Sequence, residues 1–269
     1  MEDRRTLHDS NVHNESTIWV VLRLTGGKPI IYLFPPRLIV DASVVLGLTP
    51  SWSFSAVYPK ASDVSPDHGL HAIEWTVDAR ADGVLVHRAS GSELSYLFWE
   101  AHTCPAPPLS PPTSRPSTPT EDADNSVHFD PARPQLSPRG SVLLGVEKLP
   151  IYLDRALKEL SLPTEARNSF ITYWLPSFLK HKHIALRFLS QASYEAAAPM
   201  TVTPAPDVVT RVFMLFKGVD ERDVGTWAEA GARATHDVAF WKKAVGVDAE
   251  HAEDRSLFRV LEWGGMEVM

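Results

Sequence analysis

The stretch from residue 104 to residue 139 constrains this chain more than any other. It holds ten of the 22 prolines, many serines and threonines, and almost no large apolar side chains. Such a segment cannot bury enough surface to offset the entropy of ordering it. It reads as a disordered insertion that splits the 269 residues into two packed parts, 17–103 and 140–269. Ser110-Pro111 and Thr118-Pro119 within it are candidate phosphate carriers, with a passive loop as the plainer alternative. Residues 1–16 are polar and read as a disordered leader.

Between leader and insertion the pattern is that of strands. TIWVVLRL, KPIIYLF, RLIVDASVVLGL, WSFSAVY, IEWTVDA, GVLVHR and LSYLFWE are short runs rich in β-branched and aromatic residues. Gly26-Gly27 and Pro35-Pro36 punctuate the first of them, and Ala81-Asp82-Gly83 is a hairpin candidate. Residues 17–103 thus predict an antiparallel β lobe.

The second part opens helical. Leu149, Leu153, Ala156, Leu157 and Leu160 recur at helical spacing, with Pro150 suited to a first turn. A second stripe is Phe170, Ile171, Trp174, Leu175 and Phe178; Pro176 predicts a stop or kink near Trp174. HIALRFL, MTVTP and VVTRVFMLF read as strands. Thr226 and Glu229 predict a capping box for a helix through Val245, stopped by Gly246, with Trp227, Ala230, Ala234, Val238 and Trp241 inward. FRVLEW predicts a last strand and Gly264-Gly265 a turn. The expected class is α+β, an antiparallel β lobe packed against a mixed helix/strand lobe of the same domain.

Charge narrows the partners. The net charge is −7, from 26 basic and 33 acidic residues, and no clustered basic run offers a phosphate track. Nucleic acid is not an expected partner. No run approaches the ~20 apolar residues that span a bilayer. The single cysteine, Cys104, and the polar opening residues suit a soluble protein of the cytoplasm or nucleus. Oligomeric state is open.

The usual catalytic signatures are missing. The segment GGKP has the wrong spacing for a P-loop, and there is no dinucleotide fingerprint, HExxH or nucleophile elbow. No cofactor is implied. His181 and His183 would share a face on a strand, but no third ligand is evident and Lys180 and Lys182 oppose a cation, so no metal is expected. The more unusual feature is acid beside tryptophan at strand ends: Trp99-Glu100 and Glu262-Trp263, with Glu74-Trp75 as a third instance. A carboxylate against aromatic surface tends towards a raised pKa, the requirement for a general acid near neutrality. Glu100 and Glu262 facing one another across a pocket would divide acid and base roles. Trp99, Tyr173, Trp174 and Trp263 would line that pocket and Arg211 would orient the substrate. The competing reading makes the tryptophans core and pairs a glutamate with Arg211.

Five segments in this order, KPIIYLFPP (28–36), SYLFWEA (95–101), FITYWLP (170–176), TVTPAPDVVTRVFM (201–214) and LEWGG (261–265), carry a resemblance. The chain resembles a family of uncharacterised bacterial and fungal proteins with K-P-[IV]-I-Y-L-[FY]-P near the start and E-W-G-G near the end, over roughly residues 25–103 and 141–265. The resemblance implies a shared core containing the Trp-acid segments and brings no activity, substrate or cofactor. Two functional readings follow. One is an enzyme acting on a neutral small molecule or sugar by carboxylate acid/base chemistry in an aromatic-lined pocket. The other is a non-catalytic binding or scaffolding protein.

Overall fold

A computed structural model describes residues 25–64, 71–104 and 129–268. The leader, the TIWVVLRL segment, the two Ser/Thr-Pro sites and most of the proline-rich insertion fall outside these residues.

The fold is α+β and has three layers: an antiparallel sheet, a larger mixed sheet and a helical cover. Thirteen strands are described: β1 (Thr25–Phe34), β2 (Ile39–Leu48), β3 (Trp52–Tyr58), β4 (Ser62–Val64), β5 (His71–Ala79), β6 (Leu85–His87), β7 (Glu93–Leu94), β8 (Leu97–Thr103), β9 (Val142–Gly145), β10 (His183–Phe188), β11 (Met200–Thr203), β12 (Val208–Val219) and β13 (Arg259–Glu267). The helices are α1 (Leu149–Glu159), α2 (Thr164–Phe178), α3 (Gln191–Ala197), α4 (Ala228–Arg233), α5 (Phe240–Val245) and α6 (Ala249–Glu253).

The larger sheet runs β3-β8-β1-β13-β12-β10-β9, with β12 and β13 parallel and the other neighbours antiparallel. A parallel pair needs a long crossover, and residues between β12 and β13 supply it as α4, α5 and α6. The smaller sheet runs β11-β2-β5-β6-β7, with β4 also on β5. The two halves of the chain therefore do not each own a sheet. β1, β3 and β8 from before the insertion pair into one sheet with β9, β10, β12 and β13 from after it, while β11 joins the smaller sheet through β2.

The central strands explain their own composition. Along β1, Ile31 and Leu33 face the smaller sheet, and Ile30 and Tyr32 face the helices. A strand covered on both sides reads as a continuous apolar run rather than as an alternation. The inter-sheet core adds Val44, Leu46, Trp75, Val77, Trp99, Phe213 and Leu215. The helix-side core joins Val212, Met214, Phe216, Leu261 and Trp263 to Leu153 and Leu157 of α1 and Phe170, Trp174 and Phe178 of α2. Beyond the reach of the smaller sheet, Trp227 and Ala230 cover Leu143 and Ala185 as a third, small cluster.

Five expectations are corrected. The insertion ends earlier than its composition suggests: Phe129 is buried, with its ring 5.6 Å from Trp52 and 5.9 Å from Phe213, and Leu136 packs beside it. α2 does not stop at Trp174 but continues through Pro176 to Phe178. Ala166, Phe170, Trp174 and Phe178 form an unbroken i, i+4 row into the core, and that burial outweighs one lost backbone bond in the last turn. The helix foreseen from Thr226 to Val245 is broken in two. Thr226 donates its hydroxyl to the Asp223 carbonyl instead of capping, and the chain leaves the helix over Thr235-His236-Asp237, where weak helix formers meet and Asp237 binds the Ala239 N–H. Trp227, Ala230, Val238 and Trp241 of the inward stripe are buried all the same and Ala234 is half-buried, and Gly246 ends α5 in the left-handed region at φ 82°. Cys104 lies just past β8, with its N–H bonded to the Ser51 carbonyl at 2.8 Å, and is half-buried. Finally, Gly264-Gly265 is no turn: β13 passes straight through it. A Cβ on Gly264 would stand 3.0 Å from the Pro29 ring, and one on Gly265 would stand 3.0 Å from both the Met214 carbonyl oxygen and the Trp174 indole. These glycines exist for close approach across the sheet and to α2.

Candidate functional site

Strand parity divides the seven candidate residues. Successive side chains of a strand point to opposite faces. On β8, Trp99 enters the inter-sheet core and Glu100 faces the helices; on β13, Glu262 faces the smaller sheet and Trp263 the helices. Trp99, Arg211 and Glu262 meet on one face of the larger sheet. Glu100, Tyr173, Trp174 and Trp263 lie on the other. Glu100 and Glu262 do not face each other across a pocket.

The first set is a buried ion-pair network, in which Arg211 Nη2 alone of the guanidinium nitrogens has no partner among the described residues. Arg211 and Glu262 are lateral neighbours on the parallel pair β12 and β13. The Arg211 Nε donates to Glu262 Oε2 at 2.6 Å. Glu262 Oε1 accepts from the Trp99 indole at 2.9 Å and from the Tyr194 hydroxyl at 3.3 Å. Arg211 Nη1 reaches the Glu195 carboxylate and the Ala198 carbonyl, and the guanidinium lies 4.4 Å from the Tyr194 ring centroid. Burial opposes the Arg211 charge; Glu262, with Tyr194 and Glu195, more than offsets it and holds the group above its ordinary value. Burial and then the Glu262 charge push the Tyr194 hydroxyl well above 10. Glu262 is 0% exposed and both of its oxygens are engaged. In this geometry it has no face open to solvent.

The second set is mostly packing. Trp263 is 0% exposed and lies 5.2 Å from Phe170; Trp174 lies edge-on to Phe216 at 5.1 Å. Tyr173 sits at the surface with its ring 4.9 Å from Trp174, and its hydroxyl is raised by partial burial and then by the Glu100 charge. Glu100 is half-buried.

The histidine pair also separates. His183 opens β10, whereas His181 precedes the strand and places Nε2 3.1 Å from Glu267 Oε1. Among the described residues no three His, Cys, Asp or Glu side chains are grouped to hold a metal ion, and no helix is long and apolar enough to cross a membrane.

A cavity among the described residues lies elsewhere. A cleft of about 710 Å³ opens between the end of β1 with Pro35-Pro36, the β5–β6 turn, the α1–α2 connection and the α6–β13 connection. That volume is within the ordinary range for small-molecule sites. Its wall holds a layered group. Tyr32 and Phe34 stack at 5.6 Å and 10°, and the Arg259 guanidinium lies over Phe34 at 5.3 Å. Arg259 and Phe34 are cross-strand neighbours on β13 and β1. Arg259 Nη1 donates to the Ala252 carbonyl at 3.3 Å, and its buried Nε has no partner. The Tyr32 hydroxyl is pushed above its ordinary value by burial. The Trp263 indole lies beside it and favours its charged form, yet neither group makes a well-aligned hydrogen bond. Arg167, also in the wall, is tied to Asp154 at 2.8 Å and to the Leu162 carbonyl at 2.9 Å.

Sequence reasoning passed over this cleft because its residues lie far apart in the chain. One signal was there to read: Arg259 shares its parity with Leu261 and Trp263, and an arginine on an otherwise apolar strand face needs a reason. No family model, no curated protein and no solved structure matches the chain.

Proposed function

We propose that this chain is a non-catalytic binding protein for a small molecule, seated in the cleft beside Phe34. The observation that carries the reading is the Arg259–Phe34–Tyr32 stack in the wall of a cavity of about 710 Å³. Small-molecule sites combine an apolar or aromatic wall with a few placed polar groups. Arginine held over a ring keeps its donors directed at low entropic cost. The carboxylate chemistry foreseen from sequence has less support. Glu262 is engaged by Arg211, and Glu100 lies on the opposite face of the sheet, near Tyr173.

Native mass spectrometry of the full chain against a library of small organic compounds tests the proposal. Bound compounds are expected, and Phe34→Ser should remove them while leaving the circular dichroism spectrum unchanged. Binding indifferent to Phe34→Ser would move the site elsewhere. Chemical conversion of a bound compound, abolished by Glu100→Gln, would restore the enzyme reading.

A further inference from the structure

The cations of the cleft specify its ligand further. Lys158, Arg167, Arg255 and Arg259 all reach the lining. Arg167 is neutralised by Asp154. The other three have no carboxylate of the described residues within salt-bridge distance. The three acids of the wall, Asp82, Glu165 and Glu253, likewise have no cation of the described residues within salt-bridge distance, but two of them are held by hydrogen bonds. Asp82 Oδ1 accepts the Val84 N–H at 3.0 Å, and Glu253 Oε1 accepts the Ser161 hydroxyl at 3.2 Å. Glu165 stands in the first turn of α2, where the helix field favours negative charge. At the Arg259 guanidinium, burial disfavours the charge most; the nearby Arg255 disfavours it further, ahead of the opposing pull of Asp254. Two unpaired guanidiniums thus oppose each other at a cleft wall, in a chain whose net charge is −7. An incoming anion relieves that repulsion. A planar carboxylate or a phosphate ester suits the guanidinium fork.

We infer that the ligand is a small organic anion, a carboxylate or phosphate ester, whose charged end meets Arg255 and Arg259 while its apolar part lies along Phe34 and Pro35. This rests on the proposal that the cleft is the binding site.

The test is an NMR titration of the isotope-labelled full chain with four probes sharing one ring: phenyl phosphate, benzoate, benzyl alcohol and benzamidine. Phenyl phosphate and benzoate are expected to shift the amides of Phe34, Ser161 and Arg259, and to bind about tenfold more tightly than benzyl alcohol, the weight of one charge-assisted contact. Arg255→Gln, an exposed substitution that leaves the fold alone, should remove most of that advantage and leave benzyl alcohol unaffected. Added salt should weaken the anions alone. Benzyl alcohol or benzamidine binding the cleft as tightly as the anions would overturn the anion inference and leave the binding site standing. Cleft amides that respond to none of the four would overturn both.

Discussion

Glu262→Gln is the substitution whose effect the structure defines best. The carboxylate is 0% exposed and its partner Arg211 is 2% exposed, so neither gains water when the pair is broken. Glutamine keeps the shape but turns one acceptor into a donor. That NH₂ must face either the Arg211 Nε, now 2.6 Å from Glu262 Oε2, or the Trp99 indole, now 2.9 Å from Oε1; both are donors. Breaking a buried pair from one side costs about 3–5 kcal/mol. Glu195, whose side chain is 47% exposed, still reaches Arg211 and provides partial compensation, which places the expectation near the lower end, about 3 kcal/mol. For a domain of this size that is a fall in Tm of roughly 6–12 °C. Urea unfolding followed by tryptophan fluorescence reads it as a lower midpoint at constant slope. Glu195→Gln should cost no more than about 1 kcal/mol, as half-exposed pairs do. The double change Arg211→Met with Glu262→Leu, which removes both charges together, should recover most of the loss. A Glu262→Gln protein within about 1 kcal/mol of the parent would refute the reasoning, as would a Glu195→Gln protein that falls equally far.

Three further outcomes follow from packing and titration. Gly265→Ala should destabilise by about 1–3 kcal/mol, because its Cβ meets a backbone oxygen and an indole at 3.0 Å, whereas Gly231→Ala, in α4 with nothing within 4 Å, should gain about 0.5–1 kcal/mol; paired urea melts compare them. Trp174→Ala should cost about 3–5 kcal/mol, since the ring is 5% exposed against Phe216 and Gly265, and a loss under about 1 kcal/mol would mean that the ring is not core. His87 is buried with Nδ1 2.8 Å from the Ser90 hydroxyl, and burial lowers its pKa below 6.5, so its neutral form contributes fully above about pH 6.5 and that contribution falls as the pH drops below it, because the unfolded chain takes the proton first; melts of His87→Gln at pH 7 and pH 5 should show a smaller difference than the parent does.

Several local patterns in the sequence held, whereas the stripe from Trp227 to Trp241 did not make one continuous helix. The runs IIYLF, IEWTVDA and VFMLF became strands, and the Leu149–Leu160 stripe became a buried helix face. Failures came where a neighbour remote in sequence decided. Gly264-Gly265 looked like a turn because Pro29 and Trp174, which need the space, lie far away in the chain. Pro176 looked like a stop because the depth of the core under Phe178 is a tertiary fact. Phe129 was counted with the prolines around it, although one aromatic anchor was enough to fix its segment. Glu100 and Glu262 looked equivalent because each adjoins a tryptophan; strand parity makes them opposite, with Trp-Glu on β8 and Glu-Trp on β13. Which face each strand showed the core was the missing piece of information.

β13 sits between β1 and β12, and both of its flanks are fully paired. The strand that fills the middle of the larger sheet is therefore the last of the described strands along the chain. A chain folded only as far as β12 would have a slot one strand wide, bordered by two bare ladders and floored by apolar side chains. Unpaired edges of that kind recruit other chains, so a chain without residues 259–267 is expected to be adhesive. A polypeptide cut short before Arg259 would retain the vacancy and aggregate. A synthetic peptide of residues 259–267 added in trans should keep it dispersed by occupying the place of the missing strand.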